Sequence, residues 1–124
     1  MRVSVSFDFD HGILALRLVG DYPLSDVRTT LLRALNDSAL PPIAGLLIDL
    51  RQSDAIATRT LGDLTAMMAF FSHHAPRYGG RIAALASTDI AFGMARMAGV
   101  DLGLSGVEHH EFRDAQAALA WLGT

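Results

Sequence analysis

The amino-acid sequence predicts an α/β domain built on a five-stranded mixed sheet, with the element order ββαβαβαβα. Residues 3–19 alternate between apolar and polar side chains on both sides of a short polar turn, which is typical of a β-hairpin. Segments 45–50 and 81–86 are short apolar runs, each followed by a helix-like pattern. Such runs are typical of parallel strands that are covered on both faces. We therefore expect the first strand to run antiparallel to the others, which are joined by right-handed helical crossovers.

The composition limits the classes of function. The chain has 124 residues, 51% of them hydrophobic, so we expect a single domain over residues 1–124 with a substantial core. A net charge of −3 leaves no basic face for nucleic acid, and the absence of cysteine excludes disulfides and thiol chemistry. The opening residues MRVSVSFDFDHG are unlike a secretory leader, and no apolar run approaches the roughly 20 residues of a membrane span. We expect a cytoplasmic protein.

The first two strands and the first helix are predicted from the N-terminal third. Val3–Phe9 and Ile13–Val19 are the two arms of the hairpin, joined by the turn Asp10-His11-Gly12. Ser25 is predicted to cap a helix that runs to about Asn36, and Pro41-Pro42 prevents its resumption.

The central strand and the second helix follow. Gly45–Leu50 is apolar apart from Asp49, and the next helix is predicted to begin at Thr58 or Thr60. Its apolar stripe consists of Leu61, Leu64, Met68 and Phe71. Phe70 points away from that stripe, which indicates either a wide buried face or a contact with another subunit.

The last third repeats the strand–helix unit twice. Arg81–Ala86 is a strand, and Ser87-Thr88-Asp89 supplies caps for a short helix over Ile90–Ala98. Gly99–Gly106, with its three glycines, is predicted to be a loop. Val107–Phe112 is predicted to be a strand with more polar side chains than the two before it. After it, Asp114 caps a final helix ending at Trp121-Leu122.

In this order, the segments LLIDLR, RIAALAS, AFGMARM and EFRDAQAALAWL resemble the SpoIIAA-like superfamily over essentially the whole chain. This superfamily holds STAS domains and, more distantly, the lipid-binding domain of Sec14-type proteins. Within it, the chain resembles the small bacterial STAS/SEC14-type proteins of unassigned function. This resemblance implies the same ββαβαβαβα fold and a regulatory or ligand-binding role.

One motif of the superfamily is missing. Its anti-anti-sigma factors carry Asp-Ser-Ser-Gly at the start of the helix after the central strand, and the second Ser is phosphorylated. The corresponding positions here are Ala57, Thr58, Arg59 and Thr60. An arginine therefore stands where the phosphorylated serine would be, and only Thr58 or Thr60 is left to accept a phosphate.

Polar residues near the ends of the parallel strands are candidates for the polar end of a ligand site. Asp49 is the central one, because a buried carboxylate must be paired, and Arg51, Arg81 or Arg96 can pair with it. Thr58 and Thr60 are either simple helix caps or part of an anion site at the helix N-terminus. The candidate set is Asp49, Arg51, Thr58, Thr60, Ser87, Thr88 and Arg96.

An apolar wall is predicted from two neighbouring helices. It consists of Met67, Met68, Phe92 and Met94. Methionine-rich surfaces adapt to varied ligands, although such residues are also ordinary core components.

Catalysis and metal binding are not predicted. His109 and His110 lie in a strand, so their rings point to opposite faces and cannot share a metal. His73 and His74 lie at a helix C-terminus, where the helix dipole favours a cation. The sequence contains no G-x-S-x-G, G-x-G-x-x-G or Walker pattern. We expect no cofactor and no enzymatic activity.

The leading prediction is a non-catalytic module that binds a small apolar or anionic ligand or a protein partner. Two alternatives stay open: a phospho-regulated partner switch related to anti-anti-sigma factors, and a carrier of lipid or acyl ligands. We also expect a homodimer, formed through Phe70 or through the edge of the sheet.

Overall fold

The computed structural model describes residues 2–123 and consists of one five-stranded sheet with four α-helices in that part of the chain. The strands are β1 (Val3–Asp8), β2 (Ile13–Val19), β3 (Gly45–Gln52), β4 (Arg81–Leu85) and β5 (Glu108–Phe112). The helices are α1 (Leu24–Leu35), α2 (Leu61–His74), α3 (Asp89–Leu104) and α4 (Ala115–Leu122). Short 3₁₀ helices lie at Ala55–Thr58 and Ala75–Tyr78.

The strands lie side by side in the order of the chain. β1 pairs antiparallel with β2, and the β2–β3, β3–β4 and β4–β5 pairs are parallel. The predicted mixed sheet, with its first strand antiparallel to the rest, is confirmed.

This strand order determines where the helices lie. Because each right-handed crossover advances in the same direction, α1, α2 and α3 all cover the same face of the sheet. Val27 of α1, Phe71 of α2 and Leu102 of α3 share one core with Leu46 of β3. A second, smaller core on the opposite face packs α4 against Leu47, Ala83 and Leu85. Since the strand order never reverses, the sheet has no topological switch point, which is where open α/β sheets usually bind ligands.

Two predicted helix boundaries are wrong. α1 has Pro23 at its N-cap position and no side-chain cap, so Ser25 lies inside the first turn. α3 does not end at Ala98 but continues through Gly99 and Gly103 to Leu104. Leu102 is 2% exposed, and its burial anchors a last turn that the low helix propensity of glycine disfavours.

The other two helices begin at side-chain caps that the sequence indicated. Thr60 Oγ1 accepts a hydrogen bond of 3.1 Å from the Asp63 amide at the start of α2. Asp114 Oδ2 accepts one of 3.1 Å from the Ala117 amide at the start of α4. Thr60, rather than Thr58, is therefore the cap of α2.

Candidate functional site

An apolar cavity lies between the three-helix layer and the sheet. It encloses about 60 Å³. The polar lining residues are Arg59, Asp63 and His109. Its apolar lining consists of Leu18, Tyr22, Leu24, Val27, Ile48, Leu50, Ile56, Leu64, Met67, Met68, Phe71, Ala84, Ala95 and Ala98. An apolar pocket with a few convergent polar groups has the composition of a small-molecule site.

Arg59 brings a largely buried cation to this cavity. It follows the 3₁₀ helix at Ala55–Thr58, in extended conformation, and its side chain is 17% exposed. The guanidinium donates to the Tyr22 carbonyl and lies 4.7 Å from the centre of the Tyr22 ring. Its Nε is buried and has no hydrogen-bond partner. Asp21, 3.9 Å away and well exposed, is the nearest carboxylate to the guanidinium.

His109 brings a second buried polar group to the wall. Its side chain is 4% exposed, and its Nδ1 has no hydrogen-bond partner, the Glu111 carboxylate being 3.7 Å away. The ring occupies the space that a side chain at Gly99 of α3 would need. Burial lowers the pKa of His109, and the nearby Glu111 carboxylate opposes this effect only in part.

This pKa shift predicts a loss of stability in mild acid. A histidine whose pKa is lower in the folded state takes up a proton more readily when the chain unfolds. The contribution of His109 to stability is therefore complete above pH 6.5, the ordinary pKa, and is lost as the pH falls towards the folded-state pKa. We expect the His109→Gln protein to show a shallower decrease in free energy of unfolding between pH 7.5 and 5.0, measured by urea denaturation. His73→Gln is the control variant, because His73 is exposed. Equal slopes of the free energy of unfolding against pH for wild type and His109→Gln would contradict the prediction.

The predicted polar residues do not form one site. Asp49, Arg51 and Ser87 lie with Arg17 and Gln52 in a shallow cleft on the α4 side of the sheet, away from the cavity. Arg51 donates two hydrogen bonds, of 3.0 and 2.9 Å, to the Asp49 carboxylate. Burial raises the pKa of Asp49, but the hydrogen bonds from Arg51 outweigh it and hold the pKa below its usual range. Asp49 is thus paired with Arg51, which was one of the predicted partners.

The three candidate threonines act as local hydrogen-bonding groups. Thr60 and Thr88 cap α2 and α3, each accepting a bond of 3.1 Å from a backbone amide. Thr58 Oγ1 donates to the Ala55 carbonyl at 3.1 Å. None of the three lines the cavity. That these three threonines contact a ligand stays a prediction.

Only two of the four residues predicted to form an apolar wall lie at the cavity. Met67 and Met68 line the cavity, whereas Phe92 and Met94 do not. Phe92 lies under the guanidinium groups of Arg96 and Arg113, at 5.4 and 4.6 Å from its ring centre. Arg96 is paired with Glu111 at 3.0 Å rather than with Asp49.

Phe70 is not the exposed residue that the helical pattern indicated. It is half-buried, and its ring packs against Phe71 and His74 at 5.7 and 4.9 Å between centres. Arg28 of α1 lies 6.0 Å from the ring centre. Phe70 thus packs against the core, as the wide-face interpretation predicts, and its contact with a second subunit stays a prediction.

Sequence reasoning missed Arg59 and His109 as cavity residues. In the sequence, Arg59 is recognisable only as the residue that replaces a phosphorylated serine, and His109 only as half of a histidine pair. Strand alternation does put His109 and His110 on opposite faces, as predicted, with His110 lying 5.2 Å from Trp121 on the α4 side. A usable signal for His109 is that strand alternation puts it on the same face as the apolar Val107.

Residues 2–123 contain no group of three metal-ligating side chains close enough to hold an ion. No helix within that range is long and apolar enough to cross a membrane.

The geometry defines a class of protein: an α/β domain with three helices over one sheet face and a small apolar cavity beneath them. No protein-family model and no curated protein matches the chain. A solved structure does match it: that of an uncharacterized protein from the DUF3478 family with a SpoIIAA-like fold, from Shewanella loihica PV-4. The two chains share 21% sequence identity over 97% of this chain and 91% of the other, with a TM-score of 0.65. This chain therefore has the SpoIIAA-like fold, as its sequence predicts.

Proposed function

We propose that this protein is a non-catalytic module that binds a small apolar molecule with an anionic end in the cavity beneath α2. One observation carries the proposal: an almost entirely apolar cavity has in its wall a buried guanidinium Nε with no hydrogen-bond partner. An unsatisfied buried donor costs about 1–3 kcal/mol, and more for a charged group. A ligand carboxylate that accepts from Arg59 removes this cost.

The surroundings of Arg59 favour an anion over a neutral polar group. Its guanidinium is held in place by the carbonyl and the ring of Tyr22, so little side-chain entropy remains to be lost on binding. Hydrogen bonds between a guanidinium and a carboxylate are about twice as strong as neutral ones. The apolar part of the ligand lies among Met67, Met68 and Phe71.

The lining also supports a binding role without chemistry. It includes no serine, threonine or lysine, and the phenol of Tyr22 is the one hydroxyl among these lining residues. The cavity of about 60 Å³ is smaller than the roughly 300–1,000 Å³ of drug-sized pockets, which selects a small ligand. A ligand of more than a few carbon atoms, a lipid or acyl chain included, needs α2 to move outward, and Met67 and Met68 are the adaptable residues at that boundary.

The partner-switch alternative depends on Thr58 and Thr60, which are both exposed. Arg59, at the phosphorylated position of the related switches, instead contributes to the cavity wall. Phosphate incorporation at either threonine by a cognate kinase would support the switch. Retained partner binding after Thr→Ala and Thr→Asp changes at both positions would argue against it.

Hexanoate and 1-hexanol are suitable probes, because they share a chain and differ in charge. We expect Arg59→Gln to weaken hexanoate binding about 10- to 100-fold, since a hydrogen bond to a charged group is worth roughly 1.5–3 kcal/mol. Binding of 1-hexanol should change less than about 3-fold, because burial of its chain is unaffected. Titrations followed by two-dimensional NMR measure both affinities and show whether the Met67 and Met68 methyl signals shift.

Two further variants complete this test. Arg33→Gln removes an exposed arginine of α1 and should leave hexanoate binding unchanged. Ala98→Leu should fill the cavity and abolish binding of both probes. Equal hexanoate affinity for wild type and a folded Arg59→Gln protein would overturn the anionic part of the proposal. Unshifted Met67 and Met68 signals would overturn the cavity as the site.

A further inference from the structure

Asp63 is the acidic residue in the wall of the cavity beneath α2. It lies on the inward side of that helix, because Met67 and Phe71 follow it at intervals of four residues and both are buried. Asp63 is half-buried, and within residues 2–123 its carboxylate has no hydrogen-bond or ion-pair partner. An inward-facing carboxylate without a partner is unusual, since removing a charge from water is costly unless the charge is paired.

Arg59 and Asp63 bring opposite charges to one cavity without pairing with each other. Thr60, the cap of α2, lies between them in the chain, so both charges are near the same end of that helix. The guanidinium of Arg59 is held by the carbonyl and the ring of Tyr22 instead, and its Nε has no partner. A ligand that carries a negative and a positive group can therefore pair with both side chains at once.

These two charges favour a zwitterion over a simple carboxylate. A carboxylate bound to Arg59 brings a negative charge towards Asp63, and like charges placed near each other lower the affinity. An ammonium group next to the bound carboxylate reverses the sign of that interaction. An α-amino acid carries an ammonium group and a carboxylate on one carbon atom, and its side chain is left free to enter the apolar part of the cavity.

We propose that the ligand of this cavity is an α-amino acid with a small aliphatic side chain. The inference rests on the proposed function, because it uses the same cavity and the same anion-binding group. Arg59 binds the carboxylate, Asp63 binds the ammonium group, and the side chain packs against Met67 and Phe71. The volume of about 60 Å³ limits that side chain to a few carbon atoms. Because three substituents of one carbon atom are held, the site also distinguishes the two enantiomers.

Norleucine, hexanoate and pentylamine test the proposal, because they share an aliphatic chain and carry both charges, only the carboxylate and only the ammonium group. Two-dimensional NMR titrations of the wild-type protein measure the affinities. We expect one enantiomer of norleucine to bind at least about 5-fold more tightly than hexanoate, pentylamine or the other enantiomer, since it alone forms both ion pairs. Equal affinities for hexanoate and both enantiomers, with the Met67 and Met68 signals shifted, overturn the inference and leave the proposed function standing. Unshifted signals with all of these compounds overturn both.

Asp63→Asn separates the ammonium contact from the rest of the site. It should weaken binding of the preferred norleucine enantiomer about 5-fold and strengthen hexanoate binding about 2-fold, because it removes an attraction in one case and a repulsion in the other. Asp26→Asn is the matched control, since Asp26 is an exposed acidic residue in the first turn of α1 and does not line the cavity. It should change each affinity less than about 2-fold. Unchanged norleucine affinity in a folded Asp63→Asn protein overturns the role of Asp63; if this variant does not fold, the comparison of enantiomers in the wild type decides.

Discussion

Replacing Gly99 by alanine is expected to lower the free energy of unfolding by about 1–3 kcal/mol, although alanine is the better helix former. An added Cβ would lie 2.9 Å from Cε1 and 3.0 Å from Cγ of the His109 ring, and closer still to Nδ1. That ring is 4% exposed in its side chain and forms part of the cavity wall, so its displacement disturbs the wall. Urea denaturation at pH 7.5, where His109 is neutral in both states, measures the change.

A matched variant and a double-mutant cycle separate this contact from helix propensity. Gly93→Ala, on the same helix but with no neighbour near the added atom, should raise stability by about 0.5–1 kcal/mol. In a His109→Ala background, Gly99→Ala should also become stabilising, because the ring that it would meet is gone. If Gly99→Ala is as favourable in the wild-type background as Gly93→Ala, the packing of His109 against α3 is not as described.

Gly79→Ala is expected to cost more, about 3–5 kcal/mol. Gly79 follows the buried Tyr78 and has a φ of 76°, which disfavours any side chain. An added Cβ would also lie 2.9 Å from the carbonyl carbon of Ala44 and closer to its oxygen, next to the start of β3. Main chain cannot rotate away as a flexible side chain can, so the turn between α2 and β4 must shift. Thermal unfolding and urea denaturation measure the loss.

Gly80 provides the control for backbone conformation alone. Its φ is 69°, but nothing lies within 4 Å of an added Cβ. Gly80→Ala should therefore cost only the 1–2 kcal/mol of a left-handed residue. Similar losses at the two positions would mean that the close approach of Ala44 contributes little.

Most of the fold follows from local pattern. Alternation over 3–19 gives the hairpin, the apolar runs give β3 and β4, and Thr60 and Asp114 mark two helix starts through ordinary capping chemistry. These signals depend on residues that are near one another in the chain. The order of the strands then follows from short right-handed connections.

The errors arose where a distant contact outweighed local preference. Gly99 and Gly103 are poor helix formers, yet α3 continues through them because Gly99 leaves room for His109 and Leu102 is buried. Phe70, off the predicted stripe, is covered because Arg28 of α1 and His74 lie beside it. Neither contact can be found by reading either segment alone.

For the candidate site, too, local features follow from the sequence, and the relative positions of distant residues do not. The sequence by itself determined that Asp49 and Arg51 share a strand face, that His109 and His110 do not, and that an arginine replaces the phosphorylated serine of related switches. It did not determine which side of the sheet each group lies on relative to the helices. That was decided by the unreversed strand order, which puts α1, α2 and α3 on one face and leaves Asp49 on the other. Whether a buried polar atom finds a partner depends on side chains from several elements at once, so only the tertiary structure shows Arg59 Nε without one.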